Sequence, residues 1–317
     1  MPENRSPARS KHLIYPLFMP NQGCPGKCIY CDQARISGAQ TFDLDKAVAE
    51  VAEFVRHHPA QAKEVAFYGG TFTGLPQSRR DEILSRILAV VDDSTALRIS
   101  THPLWISEEI LQHCADNRIQ TIELGIQDWH DRPLAASGRG YTSAEAIRAA
   151  RMVKDKGFTL GVQLMPGLPG SDDATLRYNH EVLAALKPDL LRLYPVVVIR
   201  GTKLSQLYEQ GLYQPLSLDE AVSICADYAI LCAALGIKII KYGLPSNIAT
   251  DDVIAGAFHP AFGELVKQEL LLQSIKTAEH CSNPADRERH PLSGCSPETG
   301  RKNLKRHDNC TKYVSTL

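Results

Sequence analysis

Cys24-Pro25-Gly26-Lys27-Cys28-Ile29-Tyr30-Cys31 follows directly on a short apolar stretch, and the reading of these eight residues decides the fold. Three thiolates at this spacing leave one iron of a four-iron cubane without a protein ligand and open to a small molecule. A zinc site, or a redox pair built on Cys28 and Cys31, is the competing reading of the same run. Zinc normally closes with four ligands, whereas no second CxxC or His pair lies nearby; His57 and His58 sit a helix away. Gly23 and Gly26 let backbone approach a bound group without side-chain clash. Tyr30 reads equally as a hydrophobic wall or as a ligand contact.

Outward from this run, short apolar segments alternate with amphipathic stretches of helical period, the pattern of successive βα units with a parallel sheet. Strands are expected at residues 13–18, 64–68, 97–101, 121–126, 159–164 and 190–198, with 238–241 closing the series. Helices are expected near 43–57, 77–91, 107–114, 143–156, 173–186 and 218–235. Thr142 or Ser143 and Ser217 supply N-caps for two of them. About six units argue for a partial (β/α)6-type TIM barrel with a C-terminal extension, and sites in such barrels gather at the C-terminal strand ends. The motifs obey that rule. The cysteines follow the first strand, Tyr68-Gly69-Gly70-Thr71 the second, and Ser100-Thr101-His102-Pro103 ends the third. Gly125-Ile126-Gln127-Asp128 ends the fourth, and Gln163-Leu164-Met165-Pro166-Gly167-Leu168-Pro169-Gly170 the fifth.

The 317 residues carry 35 basic and 36 acidic side chains, so no global field selects or excludes a nucleic acid. No apolar run is long enough to span a bilayer and the first dozen residues lack a signal-peptide core, which leads us to expect a cytoplasmic protein with no membrane partner. Nine cysteines, three of them crowded near the start, suit a reducing compartment and a metal site better than a disulfide framework. Cys114, Cys225 and Cys232 read as small buried apolar groups, and His102 and His130 as loop residues.

The CxxxCxxC loop after the first strand, followed by a Gly-Gly-Thr loop after the second, resembles the radical S-adenosylmethionine (SAM) superfamily. The resemblance runs from about residue 13 to 242. Gly69-Gly70-Thr71-Phe72, Ile122 through Gln127, Gly138 through Thr142 and Met165 through Gly170 are similar both to the elongator catalytic subunit and to oxygen-independent coproporphyrinogen oxidase. The stretches 193–204 and 207–213 resemble the elongator type more closely. What this implies is a 4Fe-4S cluster on Cys24, Cys28 and Cys31, whose open iron chelates SAM, with one-electron reduction yielding a 5'-deoxyadenosyl radical. A reductant such as flavodoxin or ferredoxin is implied as a partner.

Residue by residue, the resemblance places Gly69, Gly70 and Thr71 at the SAM amino group and Arg139 at its carboxylate. Gln127 falls on the ribose side. Ser100 stands where many relatives have a ribose-contacting glutamate, and Gln163 where the coproporphyrinogen relatives have an aspartate. Met165 is placed against the adenine. Apart from the resemblance, Lys241 and Tyr242 are read from their place at the last strand as facing the substrate. Elongator-type proteins have a longer gap between the first two cysteines and an acetyltransferase domain after the barrel; neither is read here, so the full reaction on a tRNA wobble uridine is not expected of this chain alone. tRNA or another nucleotide leads as substrate, ahead of a small molecule handled by a coproporphyrinogen-type oxidase and of a non-catalytic iron-sulfur protein.

Three segments are expected: the barrel over 1–242, a closure or cap over 243–277, and a polar, disordered tail over 278–317. The tail carries Cys281, Cys295 and Cys310, whose spacing fits no usual ligand pattern, and a basic cluster of Arg301, Lys302, Lys305 and Arg306.

Overall fold

Residues that alternate between apolar and polar along each short run build an open, parallel, seven-stranded sheet at the centre of the protein. The computed structural model describes residues 12–26, 28–38, 41–59, 61–245 and 248–282. In chain order the elements are β1 (Leu13–Phe18), α1 (Gln33–Ser37), α2 (Leu44–His57), β2 (Lys63–Tyr68), α3 (Gln77–Leu88), β3 (Thr95–Thr101), α4 (Glu108–Asp116) and β4 (Ile119–Gln127). There follow α5 (Asp131–Ala136), α6 (Ser143–Asp155), β5 (Thr159–Leu164), α7 (Asp173–Leu186), β6 (Leu190–Leu193), β7 (Val197–Ile199), α8 (Lys203–Glu209), α9 (Leu218–Leu235), β8 (Lys238–Tyr242), β9 (Val253–Gly256) and α10 (Phe262–Ser282).

The main sheet has the order β1-β2-β3-β4-β5-β6-β8, every neighbouring pair parallel, with β1 and β8 at its edges. It is a partial barrel, as the alternation of strands and helices leads one to expect. Side chains of successive residues point to opposite faces of a strand. Val65, Phe67, Leu97, Ile99, Ile122, Leu124, Leu160, Val162, Leu191 and Leu193 therefore pack against the helices as one core, each all but removed from solvent. The intervening positions carry Glu64, Arg98, Glu123 and Arg192, which share the interior.

Helix starts are set locally. The Thr142 side chain accepts from the Glu145 amide while Glu145 reaches back to the Thr142 amide, and Ser217 with Glu220 does the same; such caps contribute about 1 kcal/mol each. Asp43 and Ser107 cap α2 and α4 from just outside the helix.

One expectation is corrected. The single strand over 190–198 is two, because Pro195 has no N–H for the ladder and the chain leaves the sheet after Leu193; β7 instead pairs antiparallel with β9. This ribbon leans on the cysteine loop, where Leu204 N donates to Ile29 O at 2.8 Å and Arg35 pairs with Asp252. The last helix, α10, continues to Ser282, and residues 283–317 of the expected polar tail lie outside the described residues. Asn247, Cys295, Cys310 and the basic cluster at 301–306 lie outside the described residues. Cys114, Cys225 and Cys232 are buried in the core as expected. Among the described residues no helix is long and apolar enough to cross a membrane.

Candidate active site

The C-terminal ends of the sheet strands open into a cavity of about 330 Å³, lined by residues from the cysteine loop, from β1 to β6 and their following loops, and from β8. Every residue singled out from the sequence as a cluster or cofactor contact borders it: Cys24, Cys28, Tyr30, Cys31, Gly69, Gly70, Thr71, Ser100, Gln127, Arg139, Gln163 and Met165.

The cysteine loop is fixed to its neighbour backbone to backbone. Asn21 N donates to Gly69 O and Thr71 N to Gln22 O, both at 2.8 Å. Gly70 sits so close that a Cβ there would run into Gln22 O and come within 2.8 Å of Met19 O. The Gly-Gly-Thr segment thus acts first as a cradle for the cysteine loop, and the Gly69 and Thr71 carbonyls already accept from Asn21 and Gly74. Each carbonyl keeps a second lone pair for another donor.

All three sulfurs are met by polar hydrogens. Thr71 Oγ1 lies 3.4 Å from Cys24 Sγ; Gln33 Nε2 and Asn21 Nδ2 donate to Cys31 Sγ at 3.5 and 3.9 Å; Arg139 Nη1 donates to Cys28 Sγ at 3.0 Å. Burial raises the Cys24 thiol and pushes that of Cys31 up to about 11, so a metal must displace protons to enter. Arg139 also donates from Nε to Tyr141 Oη at 3.1 Å and from Nη2 to Gly125 O. Tyr30 Oη is buried beside this group without a hydrogen-bond partner among the described residues.

Gln127 and Gln163 bond each other, Gln163 Nε2 donating to Gln127 Oε1 at 2.9 Å. Gln127 adopts φ +71° at a bulge between β4 and β5, and its carbonyl receives the Met165 amide at 2.7 Å. Met165 is buried with Ile29, Tyr30 and Leu168 in a small apolar cluster against Cys28 and Cys31. Ser100 borders the cavity from β3.

Several lining residues were not singled out from the sequence. Glu123 stands between Arg98 and Arg192: Arg98 Nη1 donates to Oε1 at 2.6 Å, and Arg192 donates from Nε and Nη2 at 2.5 and 3.0 Å. Tyr68 Oη adds a bond at 3.0 Å. Burial alone would raise the Glu123 carboxyl, but the two arginines outweigh it and hold it below the usual range. Gly161 makes room for this side chain, since a Cβ would come within 2.7 Å of Glu123 Cγ. A single charged residue inside each of three otherwise uncharged strands, Arg98, Glu123 and Arg192, was the available signal. His102, read as a loop residue, borders the cavity too; burial, then the nearby Arg139 charge, pushes its pKa down to about 3, so the ring is neutral.

The sequence pattern of the radical SAM superfamily matches residues 19–181, and that of the Radical_SAM C-terminal domain matches 188–271. The chain belongs to the radical SAM superfamily. Membership makes it a radical SAM enzyme and implies SAM and a 4Fe-4S cluster. It is 29% identical over 301 residues to a tRNA uridine(34) acetyltransferase of Methanocaldococcus jannaschii, covering 80% of this chain and 54% of that protein. It is 27% identical over 247 residues to Elongator complex protein 3 of Mus musculus, covering 70% and 45%. This radical SAM chain thus spans about half the length of the curated relatives it matches. In fold it is similar to archaeal Methanocaldococcus infernus Elp3, with a TM-score of 0.67, 20% identity, and coverage of 83% of this chain and 63% of that one. Coproporphyrinogen III oxidase (HemN) from Escherichia coli gives a TM-score of 0.53 at 15% identity, over 72% and 53%.

Proposed function

We propose that Cys24, Cys28 and Cys31 hold the 4Fe-4S cluster, that the same cavity holds SAM, and that the enzyme modifies a nucleotide in tRNA. The observation that carries this reading is the gathering of all twelve expected residues, from five strand ends and the intervening loops, around one cavity. The donor set suits the cluster: three thiols, each facing an N–H or O–H donor, are the kind of surroundings that stabilise thiolate ligands and tune a cluster's potential. Tyr30 Oη, without a hydrogen-bond partner among the described residues, leaves a polar atom for a ligand beside the same loop.

When bound, the cluster supplies the electron that cleaves SAM to methionine and the 5'-deoxyadenosyl radical. The chain's own residues bind and orient. Arg139, kept charged within its ring of acceptors, offers a cation to the SAM carboxylate. Gly69, Gly70 and Thr71 offer carbonyl oxygens to its ammonium. The paired amides of Gln127 and Gln163, with Ser100, offer hydrogen bonds to the ribose, and Met165 and Tyr30 supply apolar surface for the adenine. The tRNA assignment rests on the likeness to tRNA uridine(34) acetyltransferases and Elongator complex proteins. A one-electron reductant of the flavodoxin or ferredoxin class and a cytoplasmic setting go with it. Residues 243–277 we read as the closure of the barrel, since α10 packs on α9 and β8.

The test is anaerobic reconstitution with iron and sulfide, then dithionite and SAM. Formation of 5'-deoxyadenosine is expected, and its absence from fully loaded protein would overturn the SAM-cleaving role. Comparison of modified nucleosides in total tRNA from cells with and without the protein tests the substrate. An unchanged nucleoside profile would remove tRNA.

A further inference from the structure

We propose that Lys241 is the substrate's anion-binding residue in the cavity, its ammonium receiving a phosphate or carboxylate oxygen of the substrate. The inference rests on the reading that this cavity is where the radical SAM reaction takes place.

The charges inside the barrel are otherwise committed to one another. Arg98 donates from Nε and Nη2 to Glu64 at 2.9 and 2.6 Å and from Nη1 to Glu123. Arg192 spends Nε and Nη2 on Glu123, Nη2 also on Tyr68 Oη at 2.7 Å, and Nη1 on Tyr194 Oη at 3.3 Å. Two carboxylates and two guanidiniums thereby balance. Arg139 is engaged at all three nitrogens by Tyr141, Cys28 and Gly125. Lys241 also borders the cavity. Among the described residues its ammonium has no hydrogen bond or ion pair, so with Arg139 assigned to the SAM carboxylate it is the cavity cation left to meet the substrate.

Its aim is set by the backbone. Leu191 pairs with Ile239, but Arg192 pairs with Lys241, so the register between β6 and β8 skips Ile240. A bulge of this kind re-aims side chains and is frequent beside active sites. With unbroken pairing Lys241 would lie opposite Leu193, on the helix-facing side of the sheet. The bulge instead sets it next to Arg192 on the interior face. Lys241 is half-buried, and a cation sheltered from water without a partner is unfavourable until an anion arrives. Leu244, Pro245, Val197 and Tyr194 border the same cavity and supply apolar surface for the remainder of the substrate.

The anionic oxygen can come from an RNA phosphodiester or from a small carboxylate, and the test separates them. Reconstituted, SAM-bound protein is treated with acetic anhydride, and labelling of Lys241 is read by mass spectrometry alone, with inorganic phosphate, with propionate, and with an anticodon stem-loop RNA. In parallel, RNA affinity is measured by fluorescence anisotropy for wild type, Lys241→Ala and Lys241→Arg, with iron and sulfide content confirming that each is folded and loaded. RNA is expected to protect Lys241 several-fold, Lys241→Ala to weaken RNA binding at least tenfold, and Lys241→Arg to retain most of it. RNA that binds wild type and Lys241→Ala equally, with Lys241 labelling unchanged by every probe, overturns the proposal and leaves the tRNA reading standing. Phosphate or propionate protection without RNA binding keeps the anion site and removes the tRNA reading. No protection and no RNA binding removes both.

Discussion

Arg139 and Cys28, 111 residues apart in sequence, are joined by a 3.0 Å contact from Nη1 to Sγ, while the other nitrogens of the same guanidinium hold Tyr141 and Gly125. One side chain from the loop before α6 therefore ties the cysteine loop to the end of β4. Hydrogen bonds to charged groups are worth about 1.5–3 kcal/mol each. We expect Arg139→Gln to lower unfolding free energy by about 2–3 kcal/mol and to weaken SAM binding at least tenfold, with Arg139→Lys in between because it keeps charge and loses the fork. Urea unfolding and equilibrium dialysis with SAM measure the two effects.

The Glu123 hub makes a second prediction. Removing one partner of a buried ion network leaves uncompensated charge at a cost of about 3–5 kcal/mol, whereas replacing partners together by apolar groups is far milder. Glu123→Leu should therefore be strongly destabilising. Combining it with Arg192→Met should recover part of that loss. A double-mutant cycle in urea decides, and strict additivity would show that the pair is not coupled.

Backbone contact at the cradle gives the third. Gly70→Ala puts a methyl group against the Gln22 and Met19 carbonyls, so the cysteine loop must move. Iron content after reconstitution should fall below half of wild type with little change in the thermal midpoint. Gly263→Ala is the control, since a Cβ there makes only ordinary contact, no closer than 3.8 Å to Tyr242 Cβ. Equal iron in both variants would show that the cradle does not position the thiols.

The fourth concerns Asp128, whose burial lifts its pKa from 3.8 to about 6 despite bonds from the His130 amide and Asn179. A carboxyl raised in the folded state contributes stability that is full below the unfolded value and is lost as pH rises through the folded one. Relative to Asp128→Asn, wild type should therefore lose about 2 kcal/mol between pH 4 and pH 7. Chemical unfolding of both proteins across that range measures the difference. A flat difference would mean that Asp128 is not buried as a charge.

The sheet and the cysteine loop were legible because period-two burial and thiol spacing are local properties of the chain. Strand six was misread for a reason equally local but overlooked: Pro195 interrupts a run that looks continuous by hydropathy alone. The pairing of Gln127 with Gln163 was not legible, since it depends on a left-handed residue at a bulge, and nothing in Ile126-Gln127-Asp128 announces φ +71°. Nor was the Glu123 hub, whose partners lie 25 and 69 residues away on other strands. His102 was set aside as a lone loop histidine; its neutrality inside the cavity comes from burial and from Arg139, neither of which a sequence displays.

The skipped residue in β8 has a consequence for how such a cavity changes over time. Pairing parity, more than side-chain identity, decides whether the residue at 241 meets a ligand or a helix. Closing the bulge with Ile240 kept in the ladder would set the lysine opposite Leu193 and turn the ammonium to the other face, with no cavity residue substituted. For this wall of the enzyme, a one-residue slip of register is a larger chemical step than an exchange of one side chain for another.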